Sequence, residues 1–155
     1  MNNRTEAFAK ARDYAFFLLK FRLRSENELS ERLIRKKFPE ETVKEVTAFL
    51  KEKRFIDDSI FAKAWVNSRL KRSLGFRRIK QELRQKGIDK AVIETELGSV
   101  KGYSEAEIIL KLAKERLGKL KAVEPVKARR RAYEFLLRRG FSPEVVIDTL
   151  NQLCR

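Results

Sequence analysis

Apolar residues recur along this chain in one frame, and the frame is used three times. Leu29, Leu33, Phe38 and Val43 form the first copy, Ile79, Leu83, Ile88 and Ile93 the second, and Ala132, Leu136, Phe141 and Val146 the third. A fixed period of about 50 residues marks one supersecondary unit used in tandem. The first two apolar positions of each copy stand one helical turn apart. Basic residues precede the central turn each time, as Arg35-Lys36-Lys37, Arg84-Gln85-Lys86 and Arg138-Arg139.

The spacing predicts helix almost throughout. Residues 4–24 form the first element, with Ala11, Ala15, Leu18 and Leu19 at helical intervals. Ser25-Glu26-Asn27-Glu28 fits a capping box, in which hydroxyl and carboxylate satisfy free backbone amides reciprocally, and opens a helix over 26–37. Phe38-Pro39 turns the chain into a third helix ending near Arg54. Asp57-Asp58 opens a helix through Arg72, which Ser73-Leu74-Gly75 breaks. A helix over 76–86 stops at Gly87, and Asp89 caps a short one to Leu97. Ser104-Glu105-Ala106-Glu107 is a second capping box, opening a helix to Leu120. Pro125 starts a helix that ends at Gly140, and Ser142-Pro143 caps the last. The expected fold is all-α: nine helices in three tandem three-helix repeats, forming an elongated, curved array. Residues 1–54, 55–98 and 104–155 make the repeats, with 99–103 as a linker. Such arrays offer extended binding surfaces, which points to a large partner.

Charge narrows the partner. Lys and Arg number 37 against 22 Asp and Glu, a net charge of +15. An excess of that size favours a polyanion, nucleic acid first, with an acidic protein surface or an anionic membrane as the other candidates. The absences exclude much chemistry. The chain has no histidine, and its one cysteine, Cys154, can form no internal disulfide. No apolar run is long enough to span a membrane, and residues 1–6 lack the apolar core of a secretion signal. We therefore expect a cytoplasmic, non-enzymatic, monomeric protein without metal or cofactor.

The positive charge concentrates on or beside the middle helix of the second and third copies. Arg69, Arg72, Arg77, Arg78, Lys80, Arg84 and Lys86 are the candidate contacts in one, and Arg129, Arg130, Arg138 and Arg139 in the other. Arg77, Lys80 and Arg84 share a helical face. Guanidinium groups there can fork onto phosphates or carboxylates. The alternative is an ordinary solvated helix face. Trp65 belongs to a stripe with Phe61, Ala62, Val66 and Arg69, and reads as packing with its indole N–H bonded to a neighbour. Phe76 and Tyr133 lie beside arginines and are either stacking or packing residues. Phe17 and Phe21 add apolar area on a second side of the first helix; they seal a neighbouring unit or mark a contact. The acidic pairs Asp57-Asp58 and Glu40-Glu41 fall in first turns, where the helix dipole accounts for them.

These motifs resemble the RecX regulatory-protein family, modulators of the RecA recombinase. The most specific stretch is Asp57-Asp58-Ser59-Ile60-Phe61-Ala62-Lys63-Ala64-Trp65-Val66-Asn67-Ser68-Arg69, continued by Ile79-Lys80-Gln81-Glu82-Leu83-Arg84-Gln85-Lys86-Gly87-Ile88. Arg22-Leu23-Arg24-Ser25 with Glu28-Leu29, and Leu137-Arg138-Arg139-Gly140-Phe141, match the first and third units. Two turns depart from the family pattern. Ser73-Leu74-Gly75-Phe76 stands where Gly-x-Gly-Pro is usual, and Lys37-Phe38-Pro39 where a glycine turn is common. The resemblance implies three helical repeats and no catalysis. It also implies binding in the groove of the RecA–DNA filament, to single- and double-stranded DNA and protein together, with loss of strand-exchange, ATPase and co-protease activity. The competing readings are a stand-alone helical nucleic-acid-binding regulator and an RNA-associated basic protein.

Overall fold

The repeating frame is the buried frame. Leu29, Leu33, Ile79, Leu83, Ala132, Leu136 and Val146 are fully excluded from solvent. Val43, Ile88, Ile93 and Phe141 are nearly so, and only Phe38 remains half-exposed. The structure, a computed structural model, describes residues 2–155. Among them it forms nine helices and no strand: α1 Asn3–Leu19, α2 Glu26–Arg35, α3 Glu40–Glu52, α4 Asp58–Lys71, α5 Phe76–Gln85, α6 Lys90–Gly98, α7 Glu105–Lys119, α8 Pro125–Arg138 and α9 Pro143–Leu153.

Two compact units emerge. One comprises residues up to Ala64 with Leu83–Glu96, the other Trp65–Glu82 with Leu97–Arg155. In the first, α1 and α2 pack on α3 around Ala11, Ala15, Leu18, Leu29, Leu33, Val43, Val46 and Leu50. The two alanines remove bulk where α1 meets its neighbours. Buried Thr47 donates to the Val43 carbonyl at 2.7 Å, so its hydroxyl is satisfied inside its own helix. In the second unit α7, α8 and α9 enclose Ile109, Ala113, Ala132, Leu136, Phe141, Val146 and Leu150.

Helix ends differ from expectation by a few residues, for local reasons. α1 stops at Leu19 rather than residue 24, with Lys20 as its C-cap. α2 and α3 end at Arg35 and Glu52, because Lys37 (φ 66°) and Arg54 (φ 59°) leave the right-handed region. Ser104 accepts from the Glu107 amide at 3.3 Å. Ser142 makes no capping bond despite its position, whereas Glu124 caps α8 by accepting from Val126 and Lys127.

One turn closes each of the three middle helices. Lys37, Gly87 and Gly140 occupy equivalent positions after α2, α5 and α8, with φ of 66°, 75° and 90°. The next residue returns its amide to the helix in each case: Phe38 to Leu33 O, Ile88 to Leu83 O and Phe141 to Leu136 O. This is the Schellman closure, in which a left-handed residue lets the chain satisfy the last carbonyls. The apolar residue after the left-handed one is Phe38, Ile88 or Phe141 of the sequence frame. The turn therefore produces the frame's third position.

Candidate nucleic-acid interface

Of the middle helices α2, α5 and α8, the last two carry most of the candidate residues and α2 none, and two junctions fix their ends. At the first, the C-terminal turn of α5 sits on the N-terminus of α2. Ser25, wholly buried, accepts from the Glu28 amide at 3.1 Å and donates to the Lys86 carbonyl at 2.7 Å. Glu28 returns a bond to the Ser25 amide at 3.2 Å, so the predicted capping box is complete. Gly87 lies so close to Asn27 that a methyl group there would fall 2.5 Å from the Asn27 Cβ.

At the second junction the C-terminal turn of α8 sits on the N-terminus of α5. The amides of Gly75 and Arg77 donate to Arg139 O at 2.8 Å and Gly140 O at 3.2 Å. A methyl group on Gly75 would lie 2.2 Å from the Gly140 oxygen. In both junctions the carbonyl-rich, negative end of one helix meets the amide-rich, positive end of another. The repeat frame maps Ser25 onto Gly75 and Glu28 onto Arg78, so one geometry is realised with different chemistry.

Two carboxylates organise the surrounding cations. Glu28 accepts from Lys86 Nζ at 2.6 Å and from Arg22 at 3.0 and 3.1 Å. Burial pushes its pKa up, but these bonds and the one from the Ser25 amide outweigh that and hold it at about 2. Glu82 accepts from Trp65 Nε1 at 2.9 Å, Arg69 Nε at 2.7 Å and Arg78 Nε at 3.2 Å. Burial raises its pKa too, and the three donors again prevail and lower it. The Arg69 guanidinium lies 4.0 Å from the centre of the Trp65 ring. Trp65 is thus half-buried, with its N–H bonded as expected and one face taken by Arg69.

The eleven candidate residues consequently divide. Arg69, Arg78 and Lys86 are engaged by Glu82 or Glu28. Arg139 is held by the carbonyls of Ser73 (3.2 Å) and Arg72 (2.5 Å), which it joins to the end of α8. Arg129 donates to Asn151 at 2.5 Å, and Arg130 lies 3.8 Å from Glu134 in an exposed pair of small energetic weight. Among the described residues, the side chains of Arg72, Arg77, Lys80, Arg84 and Arg138 make no ion pair or hydrogen bond. Helical spacing puts Arg77, Lys80 and Arg84 on one face of α5, beside the buried face of Ile79 and Leu83.

Asp57 and Asp58 are structural, as expected, but serve different helices. Asp57 caps α4 by accepting from the Ser59 amide at 2.8 Å. Asp58 accepts from the Glu26 amide at 2.9 Å and so caps α2. Its burial raises its pKa. The ion pairs of Glu28 with Arg22 and Lys86, the role of Glu82 and the capping of α2 by Asp58 escape a reading of the sequence. The one signal was Glu82 standing as the lone acid in a basic stretch. Among the described residues no acidic, histidine or cysteine group is arranged to hold a metal ion, and no helix is long and apolar enough to cross a membrane.

Three family models match in series: the RecX first three-helix domain over residues 11–50, the second over 57–97 and the third over 103–150. A protein named Regulatory protein RecX from Clostridium botulinum (strain Eklund 17B / Type B) is 32% identical over 95% of this chain and 70% of its own length. One of the same name from Amycolatopsis mediterranei (strain U-32) is 36% identical, over 97% and 86%. A crystal structure of regulatory protein RecX superposes with a TM-score of 0.81 at 26% identity, covering 94% of this chain and 73% of that one. The crystal structure of RecX from Lactobacillus salivarius gives 0.82 at 22% identity, covering 96% and 97%, and shows the shared fold.

Proposed function

Because the chain belongs to the RecX family of regulatory proteins, we propose that it binds the RecA–DNA filament and lowers recombinase, ATPase and co-protease activity. The observation that supports this is the division of its cations. The fold consumes Arg69, Arg78, Lys86 and Arg139 in holding helix ends and carboxylates. It leaves Arg77, Lys80 and Arg84 in a row on α5 with no internal partner. A one-signed row on a rigid helix suits phosphate or carboxylate oxygens, which accept charge-assisted bonds. With a net charge of +15, long-range attraction brings the protein to a polyanion before those contacts form.

On this reading the protein works as a monomer in the cytoplasm and needs no cofactor. Arg72 and Arg138 extend the contact to DNA, single- or double-stranded, or to acidic protein surface. Inhibition follows from occupancy of the groove rather than from chemistry on a substrate. The test is to add the protein to a RecA filament assembled on single-stranded DNA and to follow ATP hydrolysis and strand exchange, with bare DNA as the comparison. Both rates should fall. Unchanged rates at concentrations where filament binding is demonstrated would refute the assignment.

A further inference from the structure

Helix α1 has two apolar sides, and its packing uses one fully and the other only through half-buried Tyr14. Ala11, Ala15 and Leu18 face the core and are buried. Lys10, Tyr14 and Phe17 lie on a different stripe, at i, i+4 and i+7, and Phe21 continues it in the turn that follows. Phe17 is 52% exposed and Phe21 69%. Large apolar side chains left this open on consecutive turns need an explanation beyond folding.

The rings are ordered against one another. Tyr14 and Phe17 are 6.4 Å apart and within 20° of parallel. Phe17 and Phe21 meet edge to face at 5.1 Å, and Phe38 adds a ring 6.4 Å from Tyr14. They form a ladder along the helix. Its surroundings are cationic. Lys36 Nζ stands 5.3 Å from the Tyr14 ring centre. Lys10 lies on the ladder's own stripe, where it pairs with Glu6 at 2.6 Å, and exposed Lys20 and Lys37 adjoin Phe21 and Phe38 along the chain. Asp13 is bonded to Arg12 at 3.2 Å, and from Lys10 to Arg24 five Lys and Arg stand against that one acid, a positive excess.

We propose that the Tyr14–Phe17–Phe21 ladder is a stacking platform for the unpaired bases of single-stranded DNA. Exposed aromatic faces interleaved with cations serve the two halves of a nucleotide: the base lies on a ring and the phosphate beside an ammonium. Any base offers a π-face, so the platform is indifferent to sequence. Duplex DNA hides its bases in the stack and cannot use it. The site lies on the first repeat and is independent of the α5 row. Its failure would leave the proposed filament inhibition standing, and the converse holds.

The test uses the full chain and fluorescein-labelled oligothymidine, read by anisotropy. Phe17→Leu with Phe21→Leu keeps apolar volume and removes the π-faces. Loss of stacked bases should weaken oligothymidine binding about fivefold or more. The salt slope and the affinity for duplex should stay as in the parent. In a second variant, Phe21→Trp, oligothymidine should bind as tightly as to the parent and quench the added indole emission. That measurement decides the matter if the leucine variant does not fold. Parental affinity of the leucine variant for oligothymidine, equal losses on single strands and duplex, or unquenched emission of the tryptophan variant at saturation would each overturn the proposal. So would loss of filament binding with oligothymidine binding intact, which would make the ladder a protein contact.

Discussion

The Ser25 hydroxyl donates to the Lys86 carbonyl across 2.7 Å while accepting from the Glu28 amide at 3.1 Å. One oxygen therefore caps α2 and ties it to the end of α5, 61 residues away. Ser25→Ala removes both bonds and leaves a carbonyl oxygen without its partner. The cap alone contributes about 0.5–2 kcal/mol and the stranded acceptor about 1–3. Denaturant titration should show a loss of about 2 kcal/mol or more. Ser142→Ala, at a helix start where the hydroxyl makes no cap bond, should change stability by less than about 0.5 kcal/mol.

Neighbouring positions before α5 should respond with opposite sign. Ser73 holds φ at 55°, a region that disfavours any residue with a Cβ. Ser73→Gly should raise stability by about 0.5–1 kcal/mol, since the strain removed exceeds the added unfolded-chain freedom. Gly75→Ala would drive a methyl group into the Gly140 backbone at 2.2 Å, where no flexible side chain can yield. It should cost about 1–3 kcal/mol or more, visible as a lower thermal midpoint.

Acid should weaken the protein partly through Glu28. Its pKa is held at about 2 in the fold, below its usual 4.5. A depressed carboxyl stabilises the native state above its unfolded value and loses that contribution as pH falls through the folded one. The loss should run from about pH 4.5 down to about 2, and the unfolding midpoint should fall across that window. In Glu28→Gln the dependence should be shallower, since that group no longer titrates. A slope equal to the parent's would show that other carboxylates carry the effect.

The α5 row can be tested apart from the fold. Replacing Arg77 and Lys80 with Gln removes two cations that have no internal partner. If both meet phosphate, the plot of log affinity against log salt should flatten by about 1–2 units, equally for all DNA sequences. If they meet carboxylates of the recombinase, binding to bare DNA should hold while filament binding falls. Parental binding to both, with the circular dichroism unchanged, would make the row an ordinary solvated face.

Much of the fold was legible because it depends on periodicity. Leu33, Leu83 and Leu136 recur at the same point of one frame, and all three are fully buried. The capping box at Ser25 was readable because its partners are three residues apart. What escaped was partner choice at a distance. Asp58 looks like a cap for its own helix, yet caps one 32 residues back. Arg69, Arg78 and Arg139 look as available as Arg77 and Arg84. Only the tertiary arrangement shows that Glu82 and the carbonyls of Ser73 and Arg72 already hold them. Lys37, Arg54 and Ser73 gave no sign of left-handed backbone, since no glycine announced it.

The two helix junctions also bear on assembly errors. Units that look alike can dock in the wrong order or exchange between molecules. Here each wrong docking meets an obstacle. Were the end of α5 to seat on the start of another α5, Lys86 would face Arg78 in place of Glu28, a like charge where an ion pair belongs. Were the end of α8 to seat on the start of α2, Ser25 would bring a Cβ to the place where Gly75 leaves room for the Gly140 carbonyl. One mistake is barred by charge and the other by volume. The order of the repeats is thereby keyed into their ends.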